Sequence, residues 1–240
     1  MKTILFAGAM ALAATGATAQ TGTPLGKLTL GTAGLSTAFG LSGQTVGLSF
    51  SGSYGPVRGP GGERLDASTA LSLGLGDPVS GVGLQFDVNL TSFRSFGASG
   101  NVSASIHKAF QVNTKGIYSV MLAAGNLGAW GDAEALPENA SLIGSYMFGI
   151  GPHPAIVTLG ATTALNANND VEAIGSFGYS LNSDWAVSIG FAGDTPVIGA
   201  TWQPDFLQGT PISVSISDID DDAQRKLSID IGRTFSLTGN

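Results

Sequence analysis

The stretch Val82-Gly-Leu-Gln-Phe-Asp-Val-Asn-Leu-Thr91 decides the fold class. Its even positions are all apolar: Val82, Leu84, Phe86, Val88 and Leu90. Its odd positions, Gly83, Gln85, Asp87, Asn89 and Thr91, are small or polar. A β-strand turns successive side chains to opposite faces, so this segment has one apolar face and one polar face.

The same two-residue period recurs along most of the chain, with little helical periodicity between. Over Thr45–Tyr54, Val46, Leu48 and Phe50 oppose Ser49, Ser51 and Ser53. Further on, Leu71, Leu73 and Leu75 oppose Ser68, Ala70, Ser72 and Gly74, and Val102, Ala104 and Ile106 oppose Ser103, Ser105 and His107. Tyr118, Val120 and Leu122 oppose Ser119, Met121 and Ala123. Leu142, Tyr146, Phe148 and Ile150 share a face, although Ile143 and Met147 weaken the contrast. Residues 155–162 and 197–202 are weaker candidates, while 177–181, 185–191 and 212–217 alternate clearly. The last strand sets Leu227, Ile229, Ile231, Phe235 and Leu237 against Ser228, Asp230, Gly232 and Thr234, with Arg233 on the apolar face.

The connections carry a second pattern. Those at 77–81, 111–115, 151–154 and 182–184 are short, and those between them are generally longer, at 55–65, 93–100 and 125–139. Such alternation is expected of strands that run up and down a barrel with tight turns at one end. Residues 28–39 make a thirteenth candidate. Counting strands from the turn at 182–184 starts that segment on the wrong side, so the expected barrel has about 12 strands over residues 44–240. Residues 20–43 are expected to be periplasmic or packed in the lumen.

Lys2 precedes an apolar run of about a dozen residues, and Ala17-Thr18-Ala19 follows before Gln20. Charge, apolar run and small-residue site come in the order of a cleaved signal peptide over residues 1–19. The run is shorter than the ~20 residues that a membrane-spanning helix needs. The chain has no cysteine, so disulfides cannot staple it. Charged residues make up 11% of the chain, against about a quarter in a typical soluble domain. Much of the surface is therefore expected to face something other than water. The formal net charge of −7 argues against nucleic-acid binding, which needs a basic footprint.

With its signal-like residues 1–19, its alternation and the stretch Tyr179-Ser-Leu-Asn-Ser-Asp-Trp185, the chain resembles Gram-negative outer-membrane β-barrels as a class. Tyr179 and Trp185 flank a turn, as girdle aromatics do at a membrane interface. One departure is the C-terminus, Phe235-Ser-Leu-Thr-Gly-Asn240, whose last aromatic precedes the end by five residues. Such barrels usually end on an aromatic. The resemblance implies an all-β, antiparallel, up-and-down transmembrane barrel in the outer membrane, in contact with its lipid. It also implies a porin-like path for small polar solutes or ions.

The polar face would line that path, with Gln85, Asp87, Asn89, Thr91, His107, Ser228 and Asp230 as its lining residues. Asp87 and Asp230 would give a weak cation preference. Ser103, Ser105 and His107 share a face, but i+2 and i+4 on one strand are about 7 and 13 Å apart, and no acid is placed to orient the histidine. Asp218, Asp220 and Asp222 invite a calcium reading. Ala223 and Ile229 stand where a calcium loop has its glycine and glutamate, so the loop reads as a solvated acidic one. No cofactor and no catalytic set is expected. The other readings are a plugged structural or adhesive surface barrel, and a secreted β-sandwich whose apolar faces form a core.

Overall fold

The computed structural model describes residues 33–55, 65–91, 97–112, 116–166, 168–207, 210–219 and 225–237. The expected signal at 1–19 and the acidic positions Asp220 and Asp222 lie outside the described residues. Twelve strands follow one another: β1 (Thr45–Tyr54), β2 (Leu65–Gly76), β3 (Gly83–Leu90), β4 (Gly100–Val112), β5 (Gly116–Gly125) and β6 (Asn139–Ile150), then β7 (His153–Thr162), β8 (Glu172–Ser180), β9 (Trp185–Ala192), β10 (Thr195–Trp202), β11 (Ile212–Ser217) and β12 (Lys226–Ser236). Each pairs antiparallel with its sequence neighbours, and β1 pairs with β12 to close the barrel. The closing seam runs from Thr45 opposite Ser236 to Tyr54 opposite Leu227. Closure leaves no strand with an unpaired edge.

The alternation seen in sequence becomes an inside and an outside. On β3, Gln85, Asp87 and Asn89 are buried, while Leu84, Phe86 and Val88 are exposed. The outer apolar face continues round the sheet through Leu71, Leu122, Leu142, Leu159 and Ile189, each more than half exposed. The inner face is rich in hydroxyls: Ser72, Ser119, Ser145, Thr158 and Thr201 are almost fully buried. This is the reverse of a β-sandwich, in which the apolar faces pack together. Arg233 points outward with the apolar set and lies over the Phe235 ring, 5.2 Å from its centroid. Lys108, also outward, donates to the carbonyls of Val79 and Gly81. Both cations sit near the end of their strands, where a long side chain lays its stem on apolar surface and carries its charge to the rim.

One end of the barrel holds the connections β2–β3, β4–β5, β6–β7 and β8–β9, all short. The other holds the longer connections β1–β2, β3–β4, β5–β6 and β7–β8. We call these the turn end and the loop end. The long/short rule breaks after β8. At the loop end β9 and β10 are joined by Gly193 and Asp194 alone, Gly193 with φ +60°. The β10–β11 connection at the turn end is longer and contains a short 3-10 turn, Asp205–Leu207.

Residues 33–42 form no strand. They cross the inside of the barrel as a strap. Gly34 lies against Ser215 of β11 and Val197 of β10. Leu35 approaches Gly190 of β9. Ala38 packs among Met121, Ile143 and Ile174, and Phe39 packs on Met147 and Ile156. Leu41 reaches Gln85 of β3, and Gly43 donates to the carbonyl of Gly76 as the chain enters β1.

Candidate functional site

The lumen wall has a polar arc and an apolar arc. The polar arc spans β1 to β4 with β11 and β12. Gln85 Nε2 donates to Asp87 Oδ1 at 2.7 Å. Asn89 Nδ2 donates to Asn101 Oδ1 at 2.9 Å and to Ser103 Oγ at 3.1 Å. Thr91 stands just past β3 and donates to Ser99 Oγ at 3.0 Å. On β12, Asp230 is buried and Ser228 half-buried. The strap, not space, lies over part of this wall.

His107 is 2% exposed, and neither of its ring nitrogens has a hydrogen-bond partner. Ser103 and Ser105 therefore form no pair with it. Its ring is sandwiched by glycines: a Cβ on Gly83 or on Gly40 would collide with the imidazole. His153 opens β7 and meets Tyr179 edge-on, ring centroids 5.9 Å apart.

The apolar arc is the part that sequence reasoning missed. Met121, Ile143, Met147, Ile156 and Ile174 are all buried and point into the lumen. Ile143 and Met147 did blur the alternation of β6, which was the available signal. Their partners are Ala38 and Phe39 of the strap.

The strap is held by the wall's side chains. Ala38 N donates to Ser145 Oγ at 2.8 Å, and Ser119 Oγ donates to Ala38 O at 2.7 Å. Leu41 N donates to Gln85 Oε1 at 2.7 Å. At Gly74 the strap backbone comes so near that a Cβ would strike Leu41 and Ser42. Only glycine fits under it there. Cross-strand hydroxyl pairs tie the wall itself: Ser141 with Thr162, Ser145 with Thr158 and Thr201 with Ser213, at 2.7 to 2.9 Å.

Tyr179 and Trp185 lie where β8 ends and β9 begins, at the turn end. Trp185 stacks on Trp202 at 5.7 Å, and Trp202 meets Phe206 edge-on at 5.8 Å. Trp202 and Phe206 thus extend an aromatic cluster of which the sequence reading had only one member. In the β2–β3 turn, Asp77 accepts from Ser80 Oγ at 2.6 Å and from Val79 N at 2.8 Å. The Ser80 hydroxyl first, then the turn amides, hold its carboxyl below the usual carboxylate range. Among the described residues no group of three or more His, Asp or Glu side chains could hold a metal ion.

No protein-family model matches the chain, and no curated protein does. Solved structures do. Two are the KdgM porin, alone and in complex with disordered oligogalacturonate. Each has a TM-score of 0.52 and covers 80% of this chain and 99% of its own, at 8% and 9% identity respectively. The chain has the porin fold. A COG4313 outer membrane channel from Pseudomonas putida F1 also matches, with a TM-score of 0.47 and 12% identity, over 81% of this chain and 96% of that one.

Proposed function

We propose that this chain is an outer-membrane β-barrel that acts as a passive, porin-like channel for small hydrophilic solutes. The observation that carries this reading is the wall of a single closed sheet, with large apolar side chains over its outward face and a hydroxyl-rich inward face. An apolar belt of that extent suits lipid, and a polar lumen suits water and small solutes. On this reading residues 1–19 are a cleaved signal peptide, residues 20–43 an N-terminal segment that ends in the strap, and residues 44–240 the barrel. The turn end would face the periplasm and the loop end the outside. The aromatic residues Tyr179, Trp185 and Trp202 at the turn end would then mark the inner interface.

The solute would be neutral or cationic. Oligogalacturonate, the ligand named for the KdgM porin, is a polyanion. Here the inward charges of β3 and of the middle of β12 are Asp87 and Asp230. The test is swelling of liposomes that contain the purified protein, in neutral sugars of increasing size and in galacturonate. Swelling that falls off with sugar size, and lags for galacturonate, supports the reading. No swelling in any sugar contradicts it.

The strap favours a second reading. Ala38 is 0% exposed inside the lumen, as a permanently filled, structural barrel would require. A variant that dislodges the strap separates the two. It raises permeability in a channel and leaves a structural barrel tight.

A further inference from the structure

The His107 ring is held between two backbones of unequal freedom. One is Gly83 of β3, opposite His107 in the register, where a Cβ would strike Nε2 and Cε1. Gly83 is paired on its other side with Gly76 of β2, so the ladder fixes it from both flanks. The other is Gly40 of the strap, where a Cβ would stand 2.7 Å from both Cε1 and Nδ1. The strap belongs to no strand. Side-chain hydrogen bonds tie it to the wall on either side of Gly40, from Ala38 N to Ser145 Oγ and from Leu41 N to Gln85 Oε1.

The ring is 2% exposed, and neither nitrogen has a hydrogen-bond partner. Among the described residues no charged group faces it. β5 sets Met121 opposite, with Ser119 and Ala123 on the same face. On β4 the inward neighbours are Ser105 and Ala109, whereas Lys108 points outward to the carbonyls of Val79 and Gly81. On β3 the inward residues after Gly83 are Gln85 and Asp87. Asp87 is four residues along, or about 13 Å of extended strand, and its Oδ1 accepts from Gln85 Nε2. Asp77 is exposed in the β2–β3 turn and accepts from Ser80 and Val79. Residues 33–42 of the strap carry no charge.

A proton on this ring makes a cation with two N–H donors and no acceptor in contact. A buried charge without a partner is costly. Water reaches it only when one of the two covering backbones withdraws, and the strap is the one that no ladder holds. The sign follows from linkage: the state that binds the extra proton gains as pH falls.

We propose that His107 is a proton-operated latch on the strap. Neutral, its ring seats Gly40 against the wall; protonated, it lifts the strap there and uncovers the wall of β3 to β5. The latch stands apart from the solute path, because it is read from the strap alone.

The experiment is the electron paramagnetic resonance spectrum of a nitroxide on Ser42→Cys, in a chain that has no other cysteine. Full-length protein refolded in detergent is taken from about pH 8 to about pH 4, a span that brackets the ordinary histidine range. Heat-dependent gel mobility at each pH shows that the barrel stays closed. The mobile component should grow reversibly on acidification, its ratio to the immobile one rising by at most about tenfold per pH unit, the limit for one proton. In the same background His107→Gln should hold the immobile spectrum throughout, and His153→Gln should titrate as the parent does. No change in the parent overturns the latch. Equal change in His107→Gln also overturns it, since other groups then release the strap. Should His107→Gln fail to fold, the imidazole carbon resonance of His107 decides, assigned with His153→Gln. A shared midpoint with the nitroxide supports the latch, and separate midpoints overturn it.

Discussion

Gln85 holds Leu41 with one end of its amide and Asp87 with the other: Oε1 accepts from Leu41 N and Nε2 donates to Asp87 Oδ1, both at 2.7 Å. A single side chain thus ties the strap to the wall and neutralises part of a lumen carboxylate's need for partners. Gln85→Leu keeps the bulk and removes both bonds. Each orphaned buried group costs about 1–3 kcal/mol. We expect the strap to loosen while the barrel stays closed. Faster exchange of the Leu41 amide, with unchanged heat-dependent gel mobility, would show this, and unchanged exchange would refute it.

Gly74→Ala tests the strap from the wall side. The added methyl would meet the backbone of Leu41 and Ser42, which has no flexible end to give way. Alanine suits a strand interior better than glycine does, so the sheet itself should not weaken. The expected result is a displaced strap. The chain has no cysteine, so a Ser36→Cys background reports this cleanly. The buried thiol should react slowly with a water-soluble maleimide alone and many-fold faster with Gly74→Ala.

Much of this architecture is legible in the sequence, and the part that is not has a physical reason. Leu84, Phe86 and Val88 declare their face because a strand's period is local. The closing seam is legible too, once residues 28–39 are set aside and an even strand count remains. Ile143 and Met147 read as noise because alternation names two faces without saying what touches them. Their partners are Ala38 and Phe39, and Ala38 reaches Ser145 across 107 residues of sequence. No local pattern encodes such a contact. The two-residue β9–β10 turn at the loop end escaped for a similar reason. Loop length is a tendency of the fold, whereas Gly193 with its positive φ is a local permission to turn at once.

The outer face gives a prediction that separates lipid from water. Ile189 is 59% exposed near the middle of β9. On a soluble surface Ile189→Arg would change stability by no more than about 0.5 kcal/mol. In a bilayer an arginine near mid-depth costs about 2–4 kcal/mol. Urea unfolding from phospholipid vesicles should show the larger loss. Arg233→Leu, close to the rim, should show little change.

Asp77 predicts a pH dependence confined to the turn end. Its carboxyl is held below the usual range by Ser80 and the turn amides. A lowered folded-state pKa means that the stabilisation is complete above the ordinary carboxylate pKa. It is lost as pH falls through the folded-state value. The difference in unfolding midpoint between wild type and Asp77→Ala should therefore be present at neutral pH and close in acid. A gap that persists in acid would show that Asp77 acts without its charge.

Passage of solutes through the barrel is what separates a channel from a filled structural barrel. The most direct measurement is the current across a planar lipid bilayer after addition of the purified, heat-modifiable protein, in a potassium chloride gradient. We predict discrete conductance steps, larger or more frequent in Gly74→Ala, with a reversal potential displaced toward that of potassium. A folded protein that inserts and gives no steps, in wild type and in Gly74→Ala alike, would contradict the channel and leave a structural barrel filled by its own strap.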